Sequence, residues 1–205
     1  MQLSKSRIKP EPNDFFALWP DAGLAQALSG RIPLWRESFG GGIRKTTAAS
    51  DLHLTLVFMG ALSDGERKEV LSIAQGLAAQ AFVLRLDRLG SFHRSKTLWL
   101  APASVPPELS DLVAELRSRL ETARIPVRGS GAFSPHLTLA RLTEPPSGES
   151  RVIEPIDWRV TDFGLARSQP GPPYQIVERW PLITAGESRV PTGPVEVEVQ
   201  ETGDS

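Results

Sequence analysis

The sequence contains no cysteine among its 205 residues. This absence excludes disulfide bonds, zinc sites built on thiolates, iron–sulfur clusters and catalysis by a thiol nucleophile. A chain without cysteine fits a reducing compartment, and we expect a cytoplasmic protein. The chain also has only three histidines and one tyrosine, so a histidine that recurs in a pattern carries information.

The sequence also lacks any apolar run of the roughly 20 residues that a membrane-spanning helix requires. Residues 1–13 carry charges and two prolines without an apolar segment, which is unlike a secretory signal, and we expect no membrane association. The formal net charge of −1 argues against a protein that coats long nucleic acids through a basic face. A small or terminal anionic substrate needs few positive groups and is compatible with this balance.

The composition, with 40% hydrophobic and 23% charged residues, is typical of a globular protein. We expect one two-lobed domain over residues 14–183 between flexible tails at 1–13 and 184–205. Apolar periodicity and end signals predict strands at 15–20, 52–60, 81–92, 97–102, 136–142, 157–168 and 174–182, and helices at 21–30, 63–80 and 106–124. The glycine-rich segment 40–50 is predicted to be a flexible basic loop.

The tetrapeptide HLTL stands at residues 53–56 and again at 136–139, so two of the three histidines open the same motif. Side chains alternate between the faces of a strand, so the leucines face a core while the histidine and threonine face the opposite side. If the two strands face each other, one pocket is lined by His53, Thr55, His136 and Thr138. One imidazole can then accept a proton and the other donate one, while the hydroxyls hydrogen-bond phosphate oxygens, with no metal or other cofactor.

Two other interpretations of the histidines stay open at this point. A single histidine on a half-buried strand is usually a structural residue, although here the hydroxyl partner recurs at the same spacing. A zinc site would need three or four ligands, and only His93 or a carboxylate could complete a set begun by His53 and His136. The duplicated motif favours acid–base catalysis over both.

The paired motifs and their flanks resemble the two-histidine phosphoesterases, and within them the RNA 2′,3′-cyclic phosphodiesterases, once called 2′-5′ RNA ligases. The resemblance spans residues 14–183 and rests on the HxTx motifs in HLTLVFMG (53–60) and PHLTLAR (135–141), with support from FFALWPD (15–21), TLWL (97–100) and YQIVERWPL (174–182). It implies an α+β bilobal fold. Two antiparallel β-sheets, flanked by helices, would form a V-shaped cleft with one HxTx motif on each wall.

The same resemblance implies the roles of the motif residues. His53 would be the proton donor to the leaving 3′ oxygen. His136 would be the proton acceptor that activates water. Thr55 and Thr138 would hold the phosphate oxygens. The two motifs are identical, so the assignment of donor and acceptor rests on the resemblance alone.

Three further residues are candidates for substrate binding. Arg141, three residues after Thr138, matches an arginine that the resembled family keeps near the substrate. His93 and Arg44 lie in predicted basic loops, where charges are usually only solvated. The other charged residues considered in these loops are Lys45, Arg94 and Lys96.

The resulting hypothesis is hydrolysis of a 2′,3′-cyclic phosphate to a 2′-phosphomonoester. The partners would be RNA ends or nucleotides that carry the cyclic phosphate, and we expect a monomer. One alternative is a nucleotide- or RNA-binding module without turnover. Another is a related phosphodiesterase that acts on 2′-5′-linked oligonucleotides or ADP-ribose cyclic phosphate. The presence of all four motif side chains favours an enzyme over a binding module.

Overall fold

The computed structural model describes residues 12–37, 39, 42–129, 131–144, 150–168 and 173–184. Most of both predicted tails lies outside these residues. The helices are α1 (Ala22–Glu37), α2 (Asp64–Gln75) and α3 (Pro107–Thr122), with a short 3₁₀ helix at Ala49–Asp51. The strands are β1 (Asp14–Leu18), β2 (Ile43–Thr46), β3 (Leu54–Gly60), β4 (Phe82–Phe92), β5 (Thr97–Ala101), β6 (Leu137–Leu142), β7 (Arg151–Val160), β8 (Asp162–Arg167) and β9 (Gln175–Pro181).

Eight of the nine strands pair antiparallel in one path with the order β7-β4-β5-β6-β3-β1-β8-β9, and β2 pairs with β6 beside this path. The path has two parts. The first wall consists of β3, β1, β8 and β9, and the second wall consists of β6, β5, β4, β7 and β2. Among the described strands the walls pair at one position, Leu54 of β3 with Leu137 of β6, and an isolated bridge joins Gln80, before β4, to Ile183, after β9. This arrangement confirms the expected α+β fold with antiparallel strands, but the two expected sheets are joined into one through the pairing of β3 with β6.

The two walls are interleaved along the chain, because β2 and the segment from β4 to β7 belong to the second wall and the other strands to the first. The predicted strand 157–168 is therefore wrong as a single element. The chain passes from β7 of the second wall to β8 of the first at Thr161, and the carbonyl of that residue accepts a 2.8 Å hydrogen bond from the backbone of Leu182.

The hydrophobic core lies between the helices and one face of the sheet. The four motif leucines, Leu54, Leu56, Leu137 and Leu139, are at most 2% exposed. Burying each such side chain stabilises the fold by about 1.5–3 kcal/mol. Helix α3 buries the predicted apolar stripe, which consists of Leu109, Leu112, Val113, Leu116 and Leu120. None of the helices in the described part of the chain is long and apolar enough to cross a membrane.

Helix α1 is longer than the predicted 21–30 and runs through Gly30 and Pro33. Its buried residues continue the three- to four-residue spacing beyond the glycine: Ala25, Leu28, Ile32 and Trp35. Their burial offsets the roughly 1 kcal/mol that a glycine costs inside a helix. The helix therefore continues past Gly30 and ends at Glu37. Helix α2 is shorter than predicted and ends at Gln75, with Gly76 as its C-terminal cap.

The segment 40–50, predicted to be a loop, contains strand β2 (Ile43–Thr46), which pairs with β6. The preceding glycines indicated a loop, but the edge of β6 supplies hydrogen-bond partners that the local sequence does not reveal. Strand β2 occupies this edge beyond Leu137, with Thr46 paired to Ala140. Strand β3 therefore separates from β6 after one pair, and a cleft opens between the walls.

Candidate active site

The four motif side chains converge where the two walls meet. The paired leucines, Leu54 and Leu137, point into the core. Each histidine and threonine is the direct neighbour of one of these leucines, so all four side chains lie on the opposite face from the core. The polar residues on the opposite face are His53 and Thr55 of the first wall and His136 and Thr138 of the second.

A cleft of about 520 Å³ lies beside this junction, within the range of volumes that hold small ligands. His53 and Thr55 line it from the first wall, and Thr138 and Arg141 line it from the second. His136 is half-buried and is not among the lining residues, although it lies two positions from Thr138. The cleft therefore presents three of the four motif side chains, and the fourth lies next to them.

Both histidines are oriented by the same backbone contact. Nδ1 of His53 lies 2.7 Å from the carbonyl oxygen of Asp51, and Nδ1 of His136 lies 2.8 Å from that of Ser134. A carbonyl oxygen can only accept, so Nδ1 carries the proton and donates it in both rings. Nε2 is then the nitrogen of each ring that can exchange a proton with a substrate.

The surroundings of the two imidazoles differ although the motifs are identical. The His53 ring centroid lies 5.2, 6.1 and 5.0 Å from those of Phe15, Trp19 and Tyr174 respectively. Phe15 and Trp19 belong to a small apolar cluster separate from the main core. The His136 ring meets the ring of Phe92 with a centroid distance of 5.0 Å. The first wall therefore shields its histidine more than the second wall does.

Burial lowers the pKa of His53 below its ordinary value. A protonated His136 acts in the same direction, whereas the hydrogen bond to the backbone of Asp51 and the negative charge of its carboxylate raise the pKa. In the free protein His53 therefore loses its proton at a lower pH than an exposed histidine does. Burial also raises the pKa of Tyr174, with Asp51 adding to this effect and Arg141 opposing it.

The structure adds two residues to the site that were not predicted from the sequence, Asp51 and Tyr174. Asp51 is 9% exposed, and its Oδ1 accepts a 3.0 Å hydrogen bond from the backbone N–H of Tyr174. The position of Asp51, two residues before His53, was a possible signal. The equivalent residue before the second motif is Ser134, so the repeat itself did not indicate a carboxylate.

Of the three predicted substrate-binding residues, Arg141 lines the cleft, and Arg44 and His93 are not among the lining residues. Nη1 of Arg141 donates to Oγ1 of Thr97, which holds the guanidinium against β5. On β2 it is Lys45, the neighbour of Arg44, that lines the cleft. His93 lies in the exposed turn between β4 and β5. Substrate binding by all three residues stays a prediction.

The described residues contain no group of three or more histidine, aspartate or glutamate side chains placed to hold a metal ion. The zinc alternative required a third ligand beside the two motif histidines. Within this part of the chain neither His93 nor a carboxylate supplies it. The donors that do converge are suited to proton transfer and to hydrogen bonding with phosphate.

Comparison with known proteins gives a family match over most of the chain. The sequence model of the 2′-5′ RNA ligase superfamily matches residues 26–172. An RNA 2′,3′-cyclic phosphodiesterase of Escherichia coli is 32% identical over 177 residues, which cover 82% of this chain and 95% of that protein. An RNA 2′,3′-cyclic phosphodiesterase of Thermus thermophilus is 32% identical over 151 residues, which cover 67% of this chain and 75% of that protein.

Solved structures match the fold over a similar length. The crystal structure of E. coli LigT complexed with 3′-AMP matches with a TM-score of 0.64 and 31% identity, covering 85% of this chain and 99% of that one. A crystal structure from T. thermophilus matches with a TM-score of 0.67 and 25% identity, covering 83% and 97%. These matches confirm the resemblance and the α+β fold.

Proposed function

The chain belongs to the 2′-5′ RNA ligase superfamily, and we propose that it is an enzyme that hydrolyses 2′,3′-cyclic phosphates on RNA ends or nucleotides. The product would be a 2′-phosphomonoester. The observation that carries the proposal is the placement of one motif on each wall, with His53, Thr55 and Thr138 lining the cleft and His136 close enough to act on the pKa of His53. The names of two relatives, each an RNA 2′,3′-cyclic phosphodiesterase, support the substrate class.

The proposed reaction is an in-line displacement at phosphorus. Nε2 of His136 accepts a proton from water while the water oxygen bonds to phosphorus. The bond between phosphorus and the 3′ oxygen breaks, and Nε2 of His53 donates a proton to that oxygen. The 2′ oxygen keeps its bond to phosphorus. The contacts of both Nδ1 atoms with backbone carbonyls support this use of the Nε2 atoms.

The other cleft residues stabilise charge in this scheme. The hydroxyls of Thr55 and Thr138 donate hydrogen bonds to the non-bridging phosphate oxygens, where negative charge accumulates during displacement. Arg141 lines the same cleft, and its permanent positive charge attracts the phosphate. No step of the scheme requires a metal ion.

In this scheme His53 is the proton donor, although burial lowers its pKa in the free protein. A donor must be protonated when substrate is bound, whereas burial favours the neutral ring in the free protein. The cyclic phosphate carries a negative charge, which raises the pKa of a neighbouring imidazole. In this scheme substrate binding therefore allows His53 to hold the proton that it donates.

Incubation of the purified protein with 2′,3′-cyclic nucleotides tests the proposal, with the products separated against 2′- and 3′-monophosphate standards. We expect the 2′-monophosphate, formed equally fast in the presence of EDTA. Formation of the 3′-monophosphate would contradict the assigned leaving group. Loss of activity with EDTA, restored by zinc, would overturn the two-histidine scheme, and binding without turnover would favour a binding module.

A further inference from the structure

The second wall carries two aromatic side chains that belong to neither hydrophobic cluster of the described residues. Phe92, at the end of β4, is 37% exposed, and Trp99, in β5, is half-buried. Their ring centroids lie 5.5 Å apart. We call this pair the aromatic platform. Neither ring is part of the core, and together they present a paired aromatic surface outside it.

The aromatic platform adjoins the second motif. The ring of Phe92 meets the ring of His136 edge-on, with the planes at 85°. Trp99 pairs directly with Thr138 across β5 and β6, so the two side chains share the face on which the cleft opens. Trp99 also pairs with Gly90 of β4. A Cβ atom at Gly90 would lie 2.2 Å from the indole ring, so the glycine lets the indole lie directly over the β4 backbone.

Positive charges flank the platform. The turn between β4 and β5 carries Arg94 and Lys96, and Arg141 lies beside it through the pairing of β6 with Thr97. In the part of the chain that the structure describes, none of these three cations forms a salt bridge. Nζ of Lys96 donates to the carbonyl of Thr143 at 3.0 Å, a contact that positions the charge without neutralising it.

On the first wall the more exposed rings near the histidine, Phe58 and Tyr174, line the cleft itself. Phe15 of β1 and Trp19, which follows β1, are 4% and 7% exposed. Both rings pack against His53. Phe92 and Trp99 are more exposed than either. Neither Phe92 nor Trp99 lines the cleft, so a planar group that extends beyond the cleft finds its aromatic surface on the second wall.

From this arrangement we propose that the aromatic platform binds the nucleobase next to the cyclic-phosphate nucleotide in an RNA strand, and that Arg94 and Lys96 bind the strand's phosphates. The inference rests on the proposed function and specifies its substrate class: an RNA 3′ end is preferred over a free cyclic mononucleotide. Aromatic side chains stack bases regardless of their sequence, and unpaired cations attract phosphates. An apolar peptide would use the rings and leave the cations without partners.

The test compares kcat/KM for a 2′,3′-cyclic mononucleotide with that for a dinucleotide ending in the same cyclic phosphate. We expect the wild type to prefer the dinucleotide, and Phe92→Ala and Trp99→Leu to lower the dinucleotide-to-mononucleotide ratio about tenfold. Loss of the Phe92 ring can also disturb His136, but that effect applies to both substrates and cancels in the ratio. Phe92→Tyr keeps the ring and should keep the ratio. Val83→Ala, an exposed change on β4 outside the cleft, is the matched control.

A wild-type ratio near one, or a ratio unchanged in both ring variants, would overturn the inference. If the wild type hydrolyses neither substrate, the proposed function fails, and the platform is tested by fluorescence anisotropy with a labelled single-stranded RNA tetranucleotide. Phe92→Ala must then weaken binding, and Arg94→Gln must reduce the dependence of affinity on salt. Lys68→Gln, on α2, is the control for the charge change. Equal binding by the wild type and all variants would overturn the inference.

Discussion

The backbone N–H of Tyr174 donates a 3.0 Å hydrogen bond to Oδ1 of Asp51, 123 positions earlier in the chain. The carbonyl oxygen of the same aspartate accepts from Nδ1 of His53 at 2.7 Å. Asp51 thereby couples the segment before β9 to the proposed proton donor. Its counterpart at the second motif, Ser134, provides the carbonyl contact without a carboxylate.

Replacing Asp51 should change the titration of His53. Asp51→Asn keeps an oxygen that can accept from the Tyr174 N–H but removes the negative charge that raises the pKa of His53. We expect the imidazole to titrate at a still lower pH than in the wild type. Proton NMR of the ring signals measures this directly, because the chain has only three histidines. Ser134→Ala is the control, and an upward shift in Asp51→Asn would contradict the electrostatic role.

The pH dependence of catalysis should differ between the free protein and the complex. Because burial lowers the pKa of free His53, kcat/KM should fall with rising pH at a lower pH than for an ordinary histidine. The phosphate charge raises that pKa in the complex, so kcat should fall only at a higher pH. Initial rates measured over a range of pH separate the two limbs. If the lowered pKa instead governs the rise of kcat/KM with pH on the acidic side of the profile, His53 is the base and the roles are reversed.

Removal of either imidazole should be severe. We expect His53→Ala and His136→Ala each to lower kcat for a 2′,3′-cyclic nucleotide by about 10²- to 10⁴-fold, with the double variant little worse than either single one. A phosphodiester with an aryl leaving group, which needs no proton, should restore His53→Ala and not His136→Ala. Rescue of His136→Ala alone would exchange the two roles. Circular dichroism of each variant checks that the fold is kept.

The threonine hydroxyls should matter for rate more than for stability. Thr55→Ala and Thr138→Ala each remove one hydrogen-bond donor from the proposed transition state, and we expect kcat to fall about 10²-fold or more. Thr55→Ser and Thr138→Ser keep the hydroxyl and serve as matched controls. Wild-type turnover by an alanine variant at saturating substrate would show that its hydroxyl does not stabilise the displacement.

A buried ion pair should contribute more to stability than an exposed one. Asp14 is fully buried and lies 3.2 Å from Nε of Arg67. Arg67→Leu leaves this carboxylate without its principal partner, and we expect a loss of about 3 kcal/mol or more in the free energy of unfolding. Arg85→Leu breaks the exposed 4.0 Å pair with Asp157 and should cost less than about 1 kcal/mol. Urea unfolding followed by tryptophan fluorescence measures both, and equal losses would contradict the prediction.

The sequence predicted those parts of the fold in which the local pattern agrees with the final burial. The apolar stripe of α3 is buried as expected. Helix α2 begins next to the predicted start at residue 63, where Ser63 and Glu66 form a capping box. The alternation within the motif strands placed all four leucines in the core and all four polar side chains on the other face. Each of these features depends on neighbours within a few positions of the chain.

The parts that sequence analysis missed depend on partners far away in the chain. Strand β2 forms because β6 offers it an edge, and α1 continues past Gly30 because its next turns are buried. The motifs are identical, so the difference between their histidines comes from Phe15, Tyr174 and Phe92. Nothing in the local sequence links these aromatic residues to a histidine.

Because the walls are interleaved along the chain, the site forms only when strands from distant parts of the chain have paired. Neither wall can form from a contiguous piece of chain, and the Leu54–Leu137 pair closes the loop from residue 54 to residue 137. Closing so long a loop costs entropy before its contacts are gained, and such non-local pairing slows folding. Turnover should therefore return only with the last refolding phase, which makes catalytic activity a direct reporter of the complete native state.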